Sequence, residues 1–111
     1  MSASCWIGVD LDGTLAEYGG WKGPDNIGKP IPTMLARVRS WLEQGATVKI
    51  FTARACIPEQ VPFVLAWLEK HGLGACEVTN VKDFGMICLY DDRCVQVEMN
   101  TGRLIEDRGK W

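Results

Sequence analysis

An α/β fold built on a mostly parallel sheet is what this sequence predicts, on three observations. Short apolar stretches rich in β-branched residues alternate with segments of helical period. The connecting segments are long enough to carry helices between parallel strands. Three of the apolar stretches run straight into polar residues, namely Asp10, Thr52 and the pair Asp91-Asp92. In such sheets ligands bind beyond the carboxyl ends of the strands, so this convergence is the central feature. The 111 residues make one domain, and 47% apolar against 23% charged residues excludes a disordered or collagen-like chain. The expected architecture is a three-layer, Rossmann-like sheet with helices on both faces, followed by a C-terminal β-hairpin.

The elements follow in order. Cys5-Trp6-Ile7-Gly8-Val9 is an apolar run ending at Asp10 and reads as a buried strand. Pro32 and Thr33 open a helix whose face is Met34, Leu35, Val38, Trp41 and Leu42, and Gly45 stops it. Ala46 to Phe51 is the second strand. A second helix starts at Pro58 or Pro62, carries Val61, Val64, Leu65 and Leu68 on one face, and ends at Gly72. Beside that glycine, His71 reads as a structural residue at a helix end. Cys76-Glu77-Val78-Thr79 is a short third strand, and Met86-Ile87-Cys88-Leu89-Tyr90 an apolar fourth. Beyond it, Val95, Val97 and Met99 alternate with Gln96, Glu98 and Asn100, the period of a half-exposed strand. Asn100-Thr101-Gly102 is a turn signal, and Arg103-Leu104-Ile105 forms the return arm.

Composition removes several classes of function. Twelve Lys and Arg against 14 Asp and Glu give a net charge of −2, far from the basic footprint of a dedicated nucleic-acid binder. No apolar run approaches the roughly 18 residues of a membrane span. Met1-Ser2-Ala3-Ser4 places no basic residue before an apolar stretch, so it does not read as a secretory signal. The five cysteines, at 5, 56, 76, 88 and 94, are odd in number and lack CxxC spacing. They read as reduced thiols of a cytoplasmic protein, with those of the strand runs (Cys5, Cys76, Cys88) buried.

Chemistry concentrates at the strand ends. Asp10 and Asp12 stand two residues apart in Asp10-Leu11-Asp12-Gly13-Thr14-Leu15, so both carboxylates can face one pocket. Gly13 permits the unusual backbone of the turn and the close approach of a ligand. Asp91 and Asp92 add two more carboxylates at another strand end. Four carboxylates in one pocket repel each other unless a cation sits among them, and hard oxygen donors favour magnesium.

This set resembles the haloacid dehalogenase (HAD) superfamily, most of whose members are Mg²⁺-dependent phosphatases. Asp-Leu-Asp-Gly-Thr-Leu looks like the family's first motif, Thr52 its second, Lys82 its third and Asp91-Asp92 its acidic fourth. The resemblance implies that Asp10 is a nucleophile forming an aspartyl-phosphate and that Asp12 is the general acid, then the base. It implies that Thr52 and Lys82 hold and neutralise the phosphoryl group, and that Gly13, Thr14, Ala53 and Arg54 surround the substrate. The metal would be held by Asp10, Asp12 through its backbone carbonyl, and Asp92, with Asp91 bound directly or through water. Lys49 rivals Lys82 for the basic role but lies within a strand, pointing away from the strand ends.

Two further expectations follow from the same resemblance. Neither Leu15–Gln44 nor Ala53–Glu77 has room for the cap domain common in that family, so the chain looks like a minimal, capless member. An open site tolerates a large phosphorylated substrate, such as a nucleic-acid end, or is covered by an oligomeric partner. The loop Glu17-Tyr18-Gly19-Gly20-Trp21-Lys22-Gly23-Pro24 resembles the family's short flap, with Tyr18 and Trp21 placed against a substrate or packed on the surface. Arg54 is open to gripping phosphate or to pairing with the acidic cluster, and Arg93 reads as a balance for Asp91 and Asp92. Two other functions remain from the sequence: a metal- or phosphate-binding module or partner subunit without turnover, and a phosphotransferase using the same aspartyl-phosphate.

Overall fold

A computed structural model describes residues 5–106, so the Met1–Ser4 segment read above lies outside the described residues. Four strands, β1 (Trp6–Val9), β2 (Val48–Phe51), β3 (Glu77–Thr79) and β4 (Met86–Tyr90), form one all-parallel sheet in the order β3-β2-β1-β4. Two α-helices, α1 (Pro32–Glu43) and α2 (Val61–Lys70), connect β1 to β2 and β2 to β3. The fold class is therefore α/β with a parallel sheet.

Both helices carry a proline at their first or second residue, where its missing N–H costs nothing. α1 buries Met34 and Val38 and rests Leu35, Trp41 and Leu42 against the core. Gly45, at φ 86°, turns the chain out of it. Two 3-10 turns, Ala53–Cys56 and Pro58–Gln60, precede α2, so Pro58 opens a turn and Pro62 the helix itself. The buried stripe of α2 is Val64, Trp67 and Leu68, whereas Leu65, expected on that face, is exposed. The wide indole of Trp67 takes the place because it can be buried without loss. Its Nε1–H donates to the Gly28 carbonyl at 3.0 Å.

Handedness explains where the helices lie. The steps β1 to β2 and β2 to β3 run in the same direction across the sheet, and right-handed crossovers then set both helices on one face. Accordingly Val9, Val48, Ile50, Val38, Val64 and Leu68 share a single core cluster. The step from β3 to β4 returns across the whole sheet, and the same handedness carries it over the opposite face. It does so in a short strap, residues 80–85, with no helix. Asp83 of the strap accepts hydrogen bonds from Trp6 Nε1 and from the Gly85 N–H, both at 2.8 Å. Beneath it Trp6 is fully buried, stacked at 6.5 Å on Phe51, with the Lys49 ammonium 4.8 Å from its ring. The expectation of helices on both faces is met on one face only.

Two more expectations change at the sheet's β4 edge. The helices step away from β4, so Ile87 and Cys88 are exposed despite their apolar setting. None of the five cysteines forms a disulfide among the described residues, and Cys76 alone among them is buried. After β4, the alternation of Val95, Val97 and Met99 forms no strand. Val97 and Leu104 make one isolated antiparallel bridge around a turn at Asn100 and Gly102, whose φ angles are 69° and 79°. Val95, Val97 and Met99 all stay exposed, so the pattern has no surface to bury against among the described residues. Among those residues no helix is long and apolar enough to cross a membrane.

Candidate active site

The strand ends meet because the β1–β4 ladder continues past the strands. The Asp10 N–H donates to the Tyr90 carbonyl at 2.9 Å, which sets Asp91 and Asp92 beside the loop that follows β1. That loop folds tightly, with the Gly13 N–H on the Ala16 carbonyl at 2.8 Å and the Ala16 N–H on the Leu11 carbonyl at 2.8 Å. Leu11, Leu15 and Ala16 are buried in the core and anchor it. Gly13 is required twice over. Its φ of 91° suits glycine, and a Cβ there would lie 2.6 Å from an Asp92 carboxylate oxygen.

Thr14 joins the two carboxylate-bearing segments. Its buried hydroxyl accepts the Asp92 N–H at 3.0 Å and lies 3.0 Å from Asp92 Oδ1 and 3.4 Å from Asp10 Oδ2. Asp91 Oδ1 accepts the Arg93 N–H at 2.8 Å. Carboxylate oxygens of Asp10, Asp91 and Asp92 all lie within 4.8 Å of one another. Burial, then the Asp91 charge, then hydrogen bonding and charge at Asp92 push the Asp10 carboxyl up to about 7. A site that crowds two further carboxylates around a half-buried one suits a divalent cation. The all-oxygen donor set fits a hard ion, without selecting magnesium among them.

Asp12 faces elsewhere. Its carboxylate is held side-on by the buried Arg54, with Nε to Oδ2 at 2.8 Å and Nη2 to Oδ1 at 3.0 Å. Arg54 also donates to the carbonyls of Pro24 and Asn26, at 3.2 and 3.1 Å, and its guanidinium lies 4.8 Å from the Trp21 ring. Of the two uses open to Arg54, pairing with the acidic loop is the one realised. The arginine welds three segments: the first loop, the flap and the turn after β2. Thr52, buried at the end of β2, caps that turn by accepting the Arg54 N–H at 3.1 Å. Accepting this bond leaves the Thr52 hydroxyl proton for a ligand.

A cavity of about 990 Å³ opens between these groups. Asp10, Asp12, Thr52, Ala53, Arg54, Asp91 and Asp92 line it, as the sequence places them, with Gly13 and Thr14 in the loop behind. Tyr18, Trp21, Phe51, Cys56, Ile57, Gln60 and Arg93 complete it. Lys82 is exposed on the strap and is not among the lining residues. Nor is Lys49, which pairs with Glu77 at 3.5 Å on the strap face. Sequence reading missed Phe51, Cys56, Ile57 and Gln60. The doublet of 3-10 turns that presents the last two has its one signal in Pro58. No family model, curated protein or solved structure matches the chain.

Proposed function

We propose that the protein is a Mg²⁺-dependent phosphomonoester hydrolase, a minimal, capless relative of the HAD phosphatases with a Rossmann-like frame. The observation that carries this reading is the meeting of Asp10, Asp12, Thr52, Asp91 and Asp92, drawn from three strand ends, in one cavity. Tight loops position each of them, which is what phosphoryl transfer asks of a protein.

The residues divide the work. Asp10, Asp91 and Asp92 would hold the metal, together with the Asp12 backbone carbonyl. When bound, magnesium supplies the positive charge that screens a carboxylate from a phosphate dianion. An Asp10 oxygen attacks phosphorus, the bond to the leaving oxygen breaks, and Asp12 gives that oxygen its proton. Asp12 then takes a proton from water, the water oxygen attacks the same phosphorus, and the Asp10 carboxylate is released. The Thr52 hydroxyl donates to a phosphoryl oxygen. Lys82, expected in the basic role, is exposed on the strap outside the cavity lining and is assigned no step. Arg54 occupies both Asp12 oxygens, yet each keeps a second lone pair for the proton transfers.

The test is phosphate release from a panel of nucleotides, sugar phosphates, phosphopeptides and phosphorylated oligonucleotides, with and without Mg²⁺. Release that requires both Mg²⁺ and Asp10 is the expected result. A folded protein that binds Mg²⁺ yet leaves every class intact would support the non-catalytic binding module instead.

A further inference from the structure

Part of the cavity lining is aromatic and apolar, and the catalytic proposal makes no use of it. Trp21 is 53% exposed although its ring lies on Arg54. Tyr18, from the same flap, and Phe51 and Ile57, from the β2 side, line the cavity with it. Solvent-exposed indoles on glycine-rich loops lose ordering entropy when fixed, so one held in place calls for a use. Arg54 does the holding. It is only 6% exposed and binds the flap through the Pro24 and Asn26 carbonyls as well as through the Trp21 ring. The same guanidinium grips Asp12 in its own plane. The indole is thus fixed one guanidinium away from the carboxylate assigned to the leaving group.

We propose that the cavity selects phosphomonoesters whose leaving group carries a planar aromatic ring, stacked on Trp21. This rests on the phosphatase reading for the position of the phosphate. Stacking on an indole is tolerant of ring identity, so a nucleobase and a simple aryl group share the required chemistry. A ring borne one sugar away from phosphate and a ring attached directly to the ester oxygen are the two sources, and separate arms of one experiment distinguish them.

Binding of adenosine monophosphate, phenyl phosphate and ribose phosphate is measured by calorimetry on Asp10→Asn protein with Mg²⁺, alone and combined with Trp21→Ala or Trp21→Phe. All three ligands carry one phosphate group, so the comparison isolates the ring. At least one aromatic ester is expected to bind about tenfold or more tightly than ribose phosphate, the scale of one stacking contact. Trp21→Ala should shrink that ratio to near one, and Trp21→Phe should restore most of it. Equal binding of all three esters, a ratio that survives Trp21→Ala, or no binding of any ester would overturn the proposal. Thermal melting of each variant checks that it is folded. Parallel turnover by wild-type protein separates this inference from the one beneath it. Selective binding without Mg²⁺-dependent cleavage would contradict the phosphatase reading alone, and cleavage without aromatic preference would contradict the subsite alone.

Discussion

Asp10 and Asp12 leave the same strand two residues apart, and the structure places them in two differently built walls of one cavity. Asp10 joins Asp91 and Asp92 in a crowd of like charge, with burial and repulsion raising its proton affinity. Asp12 meets a full counter-charge in Arg54, which also ties down the flap. The first wall is made by strand ends and gathers three carboxylates that could hold a cation. The second is made by loops and is complete within the chain. One wall therefore suits binding metal and phosphate, the other suits orienting an acid and a leaving group.

The largest effect should come from the first wall. Asp10→Asn removes the proposed nucleophile and should lower turnover by more than about a thousandfold. Phosphate-release kinetics check it, and a variant that keeps even a tenth of wild-type activity would remove Asp10 from that role. The matching change on the second wall is Arg54→Ala. It strips a buried partner from Asp12, and because Asp12 stays partly exposed the cost should fall below the ~3–5 kcal/mol of a fully buried pair. Denaturant unfolding reads that cost. Limited proteolysis should then cut first within the flap, and a flap as protected as in wild type would mean that Arg54 does not anchor it.

Smaller effects separate the walls further. Thr14→Val keeps the shape but takes the hydroxyl from the Asp92 N–H and carboxylate. It should cost about 1–2 kcal/mol of stability and weaken Mg²⁺ binding by roughly tenfold, both accessible by calorimetry. The subtlest signature is the response of metal-free protein to pH. Asp10 has its affinity for protons raised in the fold, from 3.8 to about 7, so between those values the folded state binds more protons than the unfolded one. Stability should accordingly be highest near pH 4 on this account and fall as pH rises towards 7. Added Mg²⁺ should reverse the decline at the upper end, and Asp10→Asn should flatten it. A metal-free melting temperature that rises from pH 5 to pH 8 by way of Asp10 would contradict this assignment.

What the sequence disclosed tracks the same divide. The strand-end wall was legible because its signals are local: an apolar run, then a polar exit residue, three times over. Gly13 was legible for the same reason, as the residue between Asp12 and Thr14 in a tight turn. The second wall was not, because Arg54 finds its partners at Asp12, Pro24 and Asn26, 42, 30 and 28 residues away. Nothing in the Thr52-Ala53-Arg54 stretch says which of two anions the guanidinium meets. The single helical layer was more readable than it looked, since residues 80–85 between β3 and β4 leave no room for a helix. The C-terminal alternation misled because period two describes a strand only when a face is buried, and Val97 and Met99 bury none.

The most direct test of the division between Asp10 and Asp12 uses Asp12→Asn with an aryl phosphate whose leaving group departs without help from an acid. The first displacement should then proceed and the second should stall for want of a base. Acid-quenched protein should carry one phosphoryl group, placed on Asp10 by tandem mass spectrometry, with the aryl alcohol released in a stoichiometric burst that needs Mg²⁺. Continued phosphate release at the wild-type rate, or a burst with no phosphoryl group on Asp10, would contradict the account.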